Sequence, residues 1–201
     1  SVGMPGMHGL AYASLAIDEA DLVIGLGMRF DDRITGKVSS FAQNAKIIHV
    51  DIDPAEIDKN IKTDVPIIGD LKRVLLALNK EVHSETHPEW LKRITDLKKG
   101  HPSLKIRETS KLLPQHVIHD LSKATNGNAI IVTGVGQHQM WAAQHYSFTN
   151  ANSFITSGGL GSMGYEVPAA MGAQLGSPEK TVWSVSGDGG FQMTMSELAT
   201  I

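Results

Sequence analysis

The chain predicts an α/β fold in two partial parallel-sheet domains, and three observations carry that reading. Short apolar runs alternate with helical stripes over residues 1–83 and again over 113–201. The stretch between them, 84–112, is charged and interrupted by Pro88 and Pro102. Several apolar runs end in glycine-rich turns, as strands do where they open onto a crevice. Strand–helix alternation is the pattern of parallel sheets, whose neighbouring strands need a helical crossover. Residues 84–112 then read as an interdomain linker.

Leu10–Ala20 reads as a helix carrying Leu15 and Ile17, and Leu22–Leu26 as a continuous apolar strand. Lys46–Ile52 is a second strand. At Asp53-Pro54-Ala55-Glu56 three helix-start signals coincide: an N-cap Asp, Pro at the first position and a capping-box Glu. Val65–Ile68 is a short strand, and its Pro66 suits an edge or a strand start. Asp70 then caps a helix over Leu71–Val82, whose Leu71, Val74, Leu75, Leu78 and Val82 form one stripe. Inside the charged segment, Glu89–Lys99 predicts a surface helix with Trp90, Ile94 and Leu97 on one face.

In the second region Leu113, Val117, Ile118 and Leu121 mark a helix, and Ala129–Thr133 a strand. A helix from His138 leads to the short strand Phe154–Thr156. Gly164–Leu175 reads as a helix whose Ala169, Ala170, Gly172 and Ala173 allow close packing. A buried strand over Thr181–Ser186 and a helix near Met195 complete the order.

Composition narrows the function. At 201 residues the chain holds one large domain or two small ones, and 41% hydrophobic content supports buried cores. Eighteen basic against 21 acidic residues leave a charge of −3, which speaks against nucleic acid and polybasic membrane binding. No apolar run approaches the roughly 20 residues of a membrane span. With no Cys there is neither a disulfide framework nor a thiolate metal site. The nine His are too scattered to form a metal centre by themselves. A cytoplasmic protein is expected. The chain opens on Ser1-Val2-Gly3 and stops at Leu198–Ile201 within an apparent helix, so a fragment of a longer protein is also expected.

The chemistry-bearing signal is Gly187-Asp188-Gly189-Gly190, directly after an apolar run. An Asp between glycines offers a hard oxygen ligand to a cation and lets backbone N–H groups close on phosphate oxygens. Two more turns resemble it, Gly134-Val135-Gly136-Gln137-His138 and Ser157 through Gly164. Each alone also suits an ordinary strand–helix connection; three together favour a ligand. In the first region Gly25-Leu26-Gly27 follows a strand, but Phe30 stands where a dinucleotide fingerprint needs its third glycine. Arg29 at that strand end suits a diphosphate, and Asp51 and Asp53 end the next strand where an acid binds ribose hydroxyls. A surface salt bridge and a helix cap explain the same acids equally well. The Arg29-Phe30-Asp31-Asp32-Arg33 run is either a solvated loop of weak ion pairs or part of a site.

These motifs, with Gly6-Met7-His8-Gly9, Gln139-Met140-Trp141 and Gly159-Leu160-Gly161-Ser162-Met163-Gly164, give the chain a family resemblance. It resembles the catalytic subunits of acetohydroxyacid synthase (acetolactate synthase), which are thiamine diphosphate enzymes. The resemblance runs from the second half of an FAD-associated central domain into the first half of the pyrophosphate-binding domain. It implies that Asp188 ligates Mg2+, with Gly187, Gly189 and Gly190 beside the thiamine diphosphate. Val135, Gly136, Gln137 and His138 would contact that cofactor from the opposing turn, with Gly161 nearby and Met163 supporting its bent form as a catalytic contact. Gly6, Met7, His8, Gly9, Gly27, Arg29, Asp51, Asp53, Glu56, Gly69 and Asp70 fall where the family binds FAD. Asp32 and Arg33 would line the substrate channel at the cofactor's edge, Arg33 as a catalytic cation for a keto-acid carboxylate.

The implied reaction joins decarboxylated pyruvate to a second 2-keto acid in branched-chain amino-acid biosynthesis. A homo-oligomer, dimer or tetramer, with a regulatory subunit is implied for the full-length protein. In the family the cofactor-activating Glu lies in a preceding domain and a further Mg2+ ligand beyond residue 201, so these residues alone are expected to be inactive. Glyoxylate carboligase, pyruvate oxidase, sulfoacetaldehyde acetyltransferase and a non-catalytic nucleotide-binding module stay open as alternatives.

Overall fold

A computed structural model describes residues 1–201 and divides them into two compact units, Ser1–Ser103 and Leu104–Ile201. The first is built on three parallel strands, β1 (Leu22–Leu26), β2 (Lys46–Asp51) and β3 (Val65–Ile68), in the order β1-β2-β3. The register sets Ile24 beside Ile48 and Val50 beside Ile67. Ile47 and Val50 on the central strand are buried. Strand β3 lies at the edge, where Pro66 costs no ladder bond.

Helix α1 (Ala11–Asp18) follows the N-terminal loop, and the short helix α2 (Asp32–Thr35) lies inside the charged run. The sequence pattern does not show α2, because four residues are too few for a periodic stripe. Asp70 caps α3 (Leu71–Glu81) as expected, its Oδ1 accepting the Arg73 N–H at 3.0 Å. The charged segment is more than a linker. Its helix α4 (Pro88–Gly100) packs on α1, where Leu97 is buried with Tyr12, Ala13 and Ala16. Arg93 fastens the pair by donating to Glu19, Nε to Oε2 at 2.6 Å, and this hydrogen bond holds the Glu19 carboxyl below its usual range.

The helix expected at Asp53–Glu56 is only a turn. Asp53 Oδ1 does accept the Ala55 N–H at 2.9 Å. However, the Asp53 N–H is already donated to Asp51 Oδ1, and Glu56 is drawn to Lys59 at 2.6 Å. The capping box therefore cannot close. Asp58, with φ of +59°, then turns the chain away.

The second unit repeats the architecture with β4 (Ile130–Thr133), β5 (Phe154–Thr156) and β6 (Val182–Val185), parallel and in the order β5-β4-β6. All four residues of β4 are buried. Helices α5 (Pro114–Ala124) and α6 (Gln137–His145) cover the sheet through a cluster of Ile118, Ala129, Ile131, Ala142 and Tyr146. The Tyr146 hydroxyl accepts the Ala129 N–H at 3.2 Å, so the buried phenol is satisfied. The strand expected to be buried, β6, is an edge strand with Trp183 45% exposed. An apolar run does not by itself distinguish a central strand from an edge. Two helix starts also differ from expectation. Helix α7 begins at Glu166, after Gly164 at φ +77°, and runs to Gly176. Helix α8 (Asp188–Thr194) begins at the Asp itself, and Met195–Ala199 is a 3-10 turn. No helix is long and apolar enough to cross a membrane.

Candidate functional site

Parallel strands present their C-terminal ends at one edge of a sheet, and ligands of open α/β sheets bind there. In the second unit the three glycine-rich turns follow β4, β5 and β6 at that edge. The turns after β4 and β6 face each other closely. A methyl group on Gly187 would lie 3.1 Å from the His138 ring, and one on Gly136 3.2 Å from it. The turn after β5 approaches the third: a methyl on Gly189 would meet Met163 Cε at 3.0 Å. A methyl on Gly164 would meet Met193 Cβ at 3.1 Å. Gln139 and Thr133 both bond Thr156 Oγ1 at 2.8 Å, fixing the ends of β4 and β5 to α6.

Polar groups at this edge are largely uncommitted. The Asp188 residue is exposed, and no hydrogen bond or ion pair engages its carboxylate. His138 Nε2, both carboxylate oxygens of Glu166 and Thr194 Oγ1 are buried without a hydrogen-bond partner. Burial depresses the His138 imidazole below its usual range, while the nearby Glu166 charge opposes that shift. Met163 remains half-exposed, and Leu160 in the same turn is 95% exposed. No group of three His, Asp or Glu side chains gathers to hold a metal ion.

The first unit has its own cleft at the ends of β1 and β2, about 470 Å3, lined by Gly27, Arg29, Asp31, Asp51 and Glu56 among others. Here most polar groups are engaged. Arg29 pairs with Asp31 at 2.8 Å, Asp31 caps α2 through the Arg33 N–H, and Gly69 donates to the Asp51 carbonyl at 2.9 Å. Glu56 Oε2 is the exception, buried with no hydrogen-bond partner. Phe30 lies in the core and backs the cleft from there. It is 2% exposed at φ +44°, edge-on to His49 at 4.9 Å, and it occupies the space of a methyl on Gly25.

The segment Gly6–Gly9 lies against α2. Met7 donates its N–H to the Arg33 carbonyl at 2.7 Å, and a methyl on Gly6 would strike that same oxygen. His8 in this segment is exposed. The Arg33 guanidinium donates to Met7 Sδ at 3.6 Å and lies 3.7 Å from Asp32, both charged side chains being mostly exposed. The structure thus gathers Gly27, Arg29, Asp51 and Glu56 on one cleft. Asp53 and Asp70 serve as local caps beside it.

Residues 1–78 match the family described as "Thiamine pyrophosphate enzyme, central domain". Residues 134–201 match "Thiamine pyrophosphate enzyme, C-terminal TPP binding domain", the segment that carries all three converging turns. The chain belongs to the thiamine pyrophosphate enzymes. Among curated proteins it is 51% identical over 205 residues to the "Acetolactate synthase large subunit" of Corynebacterium glutamicum, covering 99% of this chain and 33% of that protein. It is 48% identical over 207 residues to the "Acetolactate synthase" of Mycobacterium leprae, covering 100% of this chain and 33% of that protein. Against "Acetolactate synthase 1, chloroplastic" of Nicotiana tabacum it is 47% identical over 207 residues, 100% of this chain and 31% of that protein. The chain spans about a third of the length of these relatives.

Within this member of the thiamine pyrophosphate enzyme family, the sequence pattern gives little sign of the buried, unpaired oxygens of Glu166 and Thr194. Glu166 follows Met163-Gly164-Tyr165 and opens α7, so it reads as an ordinary first-turn acid. Its isolation among Val167, Pro168, Ala169 and Ala170 was the one available signal.

Proposed function

We propose that this chain is part of an acetolactate synthase catalytic subunit, which joins decarboxylated pyruvate to pyruvate or 2-ketobutyrate. One observation supports the reading most: Asp188 lies uncommitted at the tip of β6, opposite the turn of His138, whose ring Nε2 is buried and unpaired. The residues fit a Mg2+-diphosphate. A diphosphate brings its own oxygens, so the cation needs only one or two carboxylates from the protein. Asp188 would hold the Mg2+. The flanking Gly187, Gly189 and Gly190 leave room for backbone approach, and Val135, Gly136, Gln137 and His138 close the site from the opposite turn. Gly161 keeps the third turn open.

Thiamine diphosphate, when bound, supplies the nucleophilic carbon and the electron sink for decarboxylation. The protein's own groups orient and shield. Met163 presents a flexible, polarisable side chain over Gly189, suited to pressing on an aromatic ring. The exposed Arg33 guanidinium is suited to receive a 2-keto acid carboxylate, held near by Asp32 and Met7. The first-unit cleft, with the Arg29 cation, Asp51 and the unpaired Glu56 oxygen, suits FAD; the family resemblance adds Gly6–Gly9, Asp53, Gly69 and Asp70, which lie outside its lining. A cytoplasmic homo-oligomer, dimer or tetramer, with a regulatory subunit completes the proposal.

The test is product analysis of the full-length enzyme supplied with pyruvate, Mg2+, thiamine diphosphate, FAD and phosphate. Acetolactate is expected. Acetyl phosphate would move the protein to a pyruvate oxidase reading, and no turnover at all would remove the catalytic one.

A further inference from the structure

Glu166 is fully buried, both its carboxylate oxygens lack a hydrogen-bond partner, and no cation pairs with it. Burying such a group costs several kcal/mol unless it is compensated, so its place calls for a reason. Its surroundings supply one. A methyl on Gly134 would strike Oε2, and a methyl on Gly190 would strike Oε1. The carboxylate is therefore wedged between the turn after β4 and the turn after β6. Neither glycine has the positive φ that would require glycine for backbone reasons. A side chain at either position meets the carboxylate, so the carboxylate or the turn must shift. Swinging Glu166 away from one glycine drives it toward the other, and Gly190 is further closed by the Gly164 nitrogen at 3.3 Å.

We propose that Glu166 is a positioning residue of the cofactor site, a buried spacer that sets the separation of the Gly134 and Gly190 turns. It touches neither substrate nor cofactor and acts through the two backbones that flank His138 and Asp188. The inference rests on the reading that these turns hold the Mg2+-diphosphate. It also gives the missing side chains at these two glycines a cause of their own, the spacer, beside any close approach of the ligand at Gly190.

The experiment is a double-mutant cycle in the full-length enzyme. Calorimetry gives Mg2+–thiamine diphosphate affinity, and scanning calorimetry gives the unfolding midpoint. Gly134→Ala in the wild-type background is expected to weaken affinity by about tenfold or more. With Glu166→Ala present, the same change should cost less than about threefold, because the space is free. Glu166→Gln keeps the volume and should bind within about threefold of wild type, a rescue that Glu166→Ala does not give. Should Glu166→Ala fail to fold, Glu166→Asp draws the carboxylate back by one methylene and should relieve Gly134→Ala in the same way. Equal losses for Gly134→Ala in both backgrounds would overturn the proposal, as would Glu166→Gln behaving like Glu166→Ala. If the wild type binds no cofactor, the functional reading fails instead, and the coupling in unfolding midpoints still decides the spacer.

Discussion

At the strand ends of the first unit, Asp31, Asp51, Asp53 and Asp70 each accept a backbone N–H from a residue close by in the chain. At the strand ends of the second, Asp188 accepts none, and His138, Glu166 and Thr194 leave buried polar atoms unpaired. The glycines divide similarly: Gly25 is filled by the core ring of Phe30, while Gly187 faces the partly buried His138 ring from the opposite turn and Gly136 from its own. Two small parallel sheets of like topology thus put similar residues to different use. Groups already satisfied by the protein contribute to stability, whereas the unsatisfied Asp188 and His138 beside the strand tips are available to a ligand. Glu56 shows that the division is not absolute, since one of its oxygens is buried and unpaired in the first unit's cleft.

The largest effect expected on the first side of this comparison is from Phe30→Ala. Removing a ring that is 2% exposed should cost about 3–5 kcal/mol in urea unfolding of the full-length protein. Thiamine diphosphate affinity should be retained wherever the protein is folded. A parallel loss of affinity by the folded fraction would break the separation drawn between the two units.

A smaller effect comes from His138. Burial lowers its imidazole below the usual 6.5, so the unfolded chain takes up a proton at a pH where the folded chain does not. Stability is therefore fully present above about pH 6.5 and declines as pH falls toward the lowered value. The ring is only partly shielded, which keeps the effect small. His145 is lowered in the same direction by burial and by His119, so His138→Gln should flatten the decline only in part. Unfolding midpoints between pH 5 and pH 7.5 would show this, and an unchanged slope in the variant would sharpen the comparison against His138.

Much of the fold was legible because its signals are local. Apolar runs gave the six strands, Pro66 gave an edge, and Asp70 gave a helix cap, all decided by groups within a few residues. What failed depended on competition or on distance. The cap signals at Asp53–Glu56 lost their partners to Asp51 and Lys59. The run at β6 could not reveal which side of β4 it pairs with. At the site, the glycine turns and Asp188 were readable as motifs. Glu166 was not, because its role depends on Gly134 and Gly190, each more than 20 residues away. Phe30 was legible only as a missing glycine, and its place in the core needed the third dimension.

The most direct test places Asp188→Ala beside Asp70→Ala in the full-length enzyme, measuring Mg2+–thiamine diphosphate affinity and unfolding free energy for both. Asp188→Ala should lose at least about tenfold in affinity, or 1.4 kcal/mol, with stability within about 0.5 kcal/mol of wild type. Asp70→Ala should do the reverse, losing about 1 kcal/mol of stability with affinity kept. Full cofactor affinity in Asp188→Ala would contradict the account.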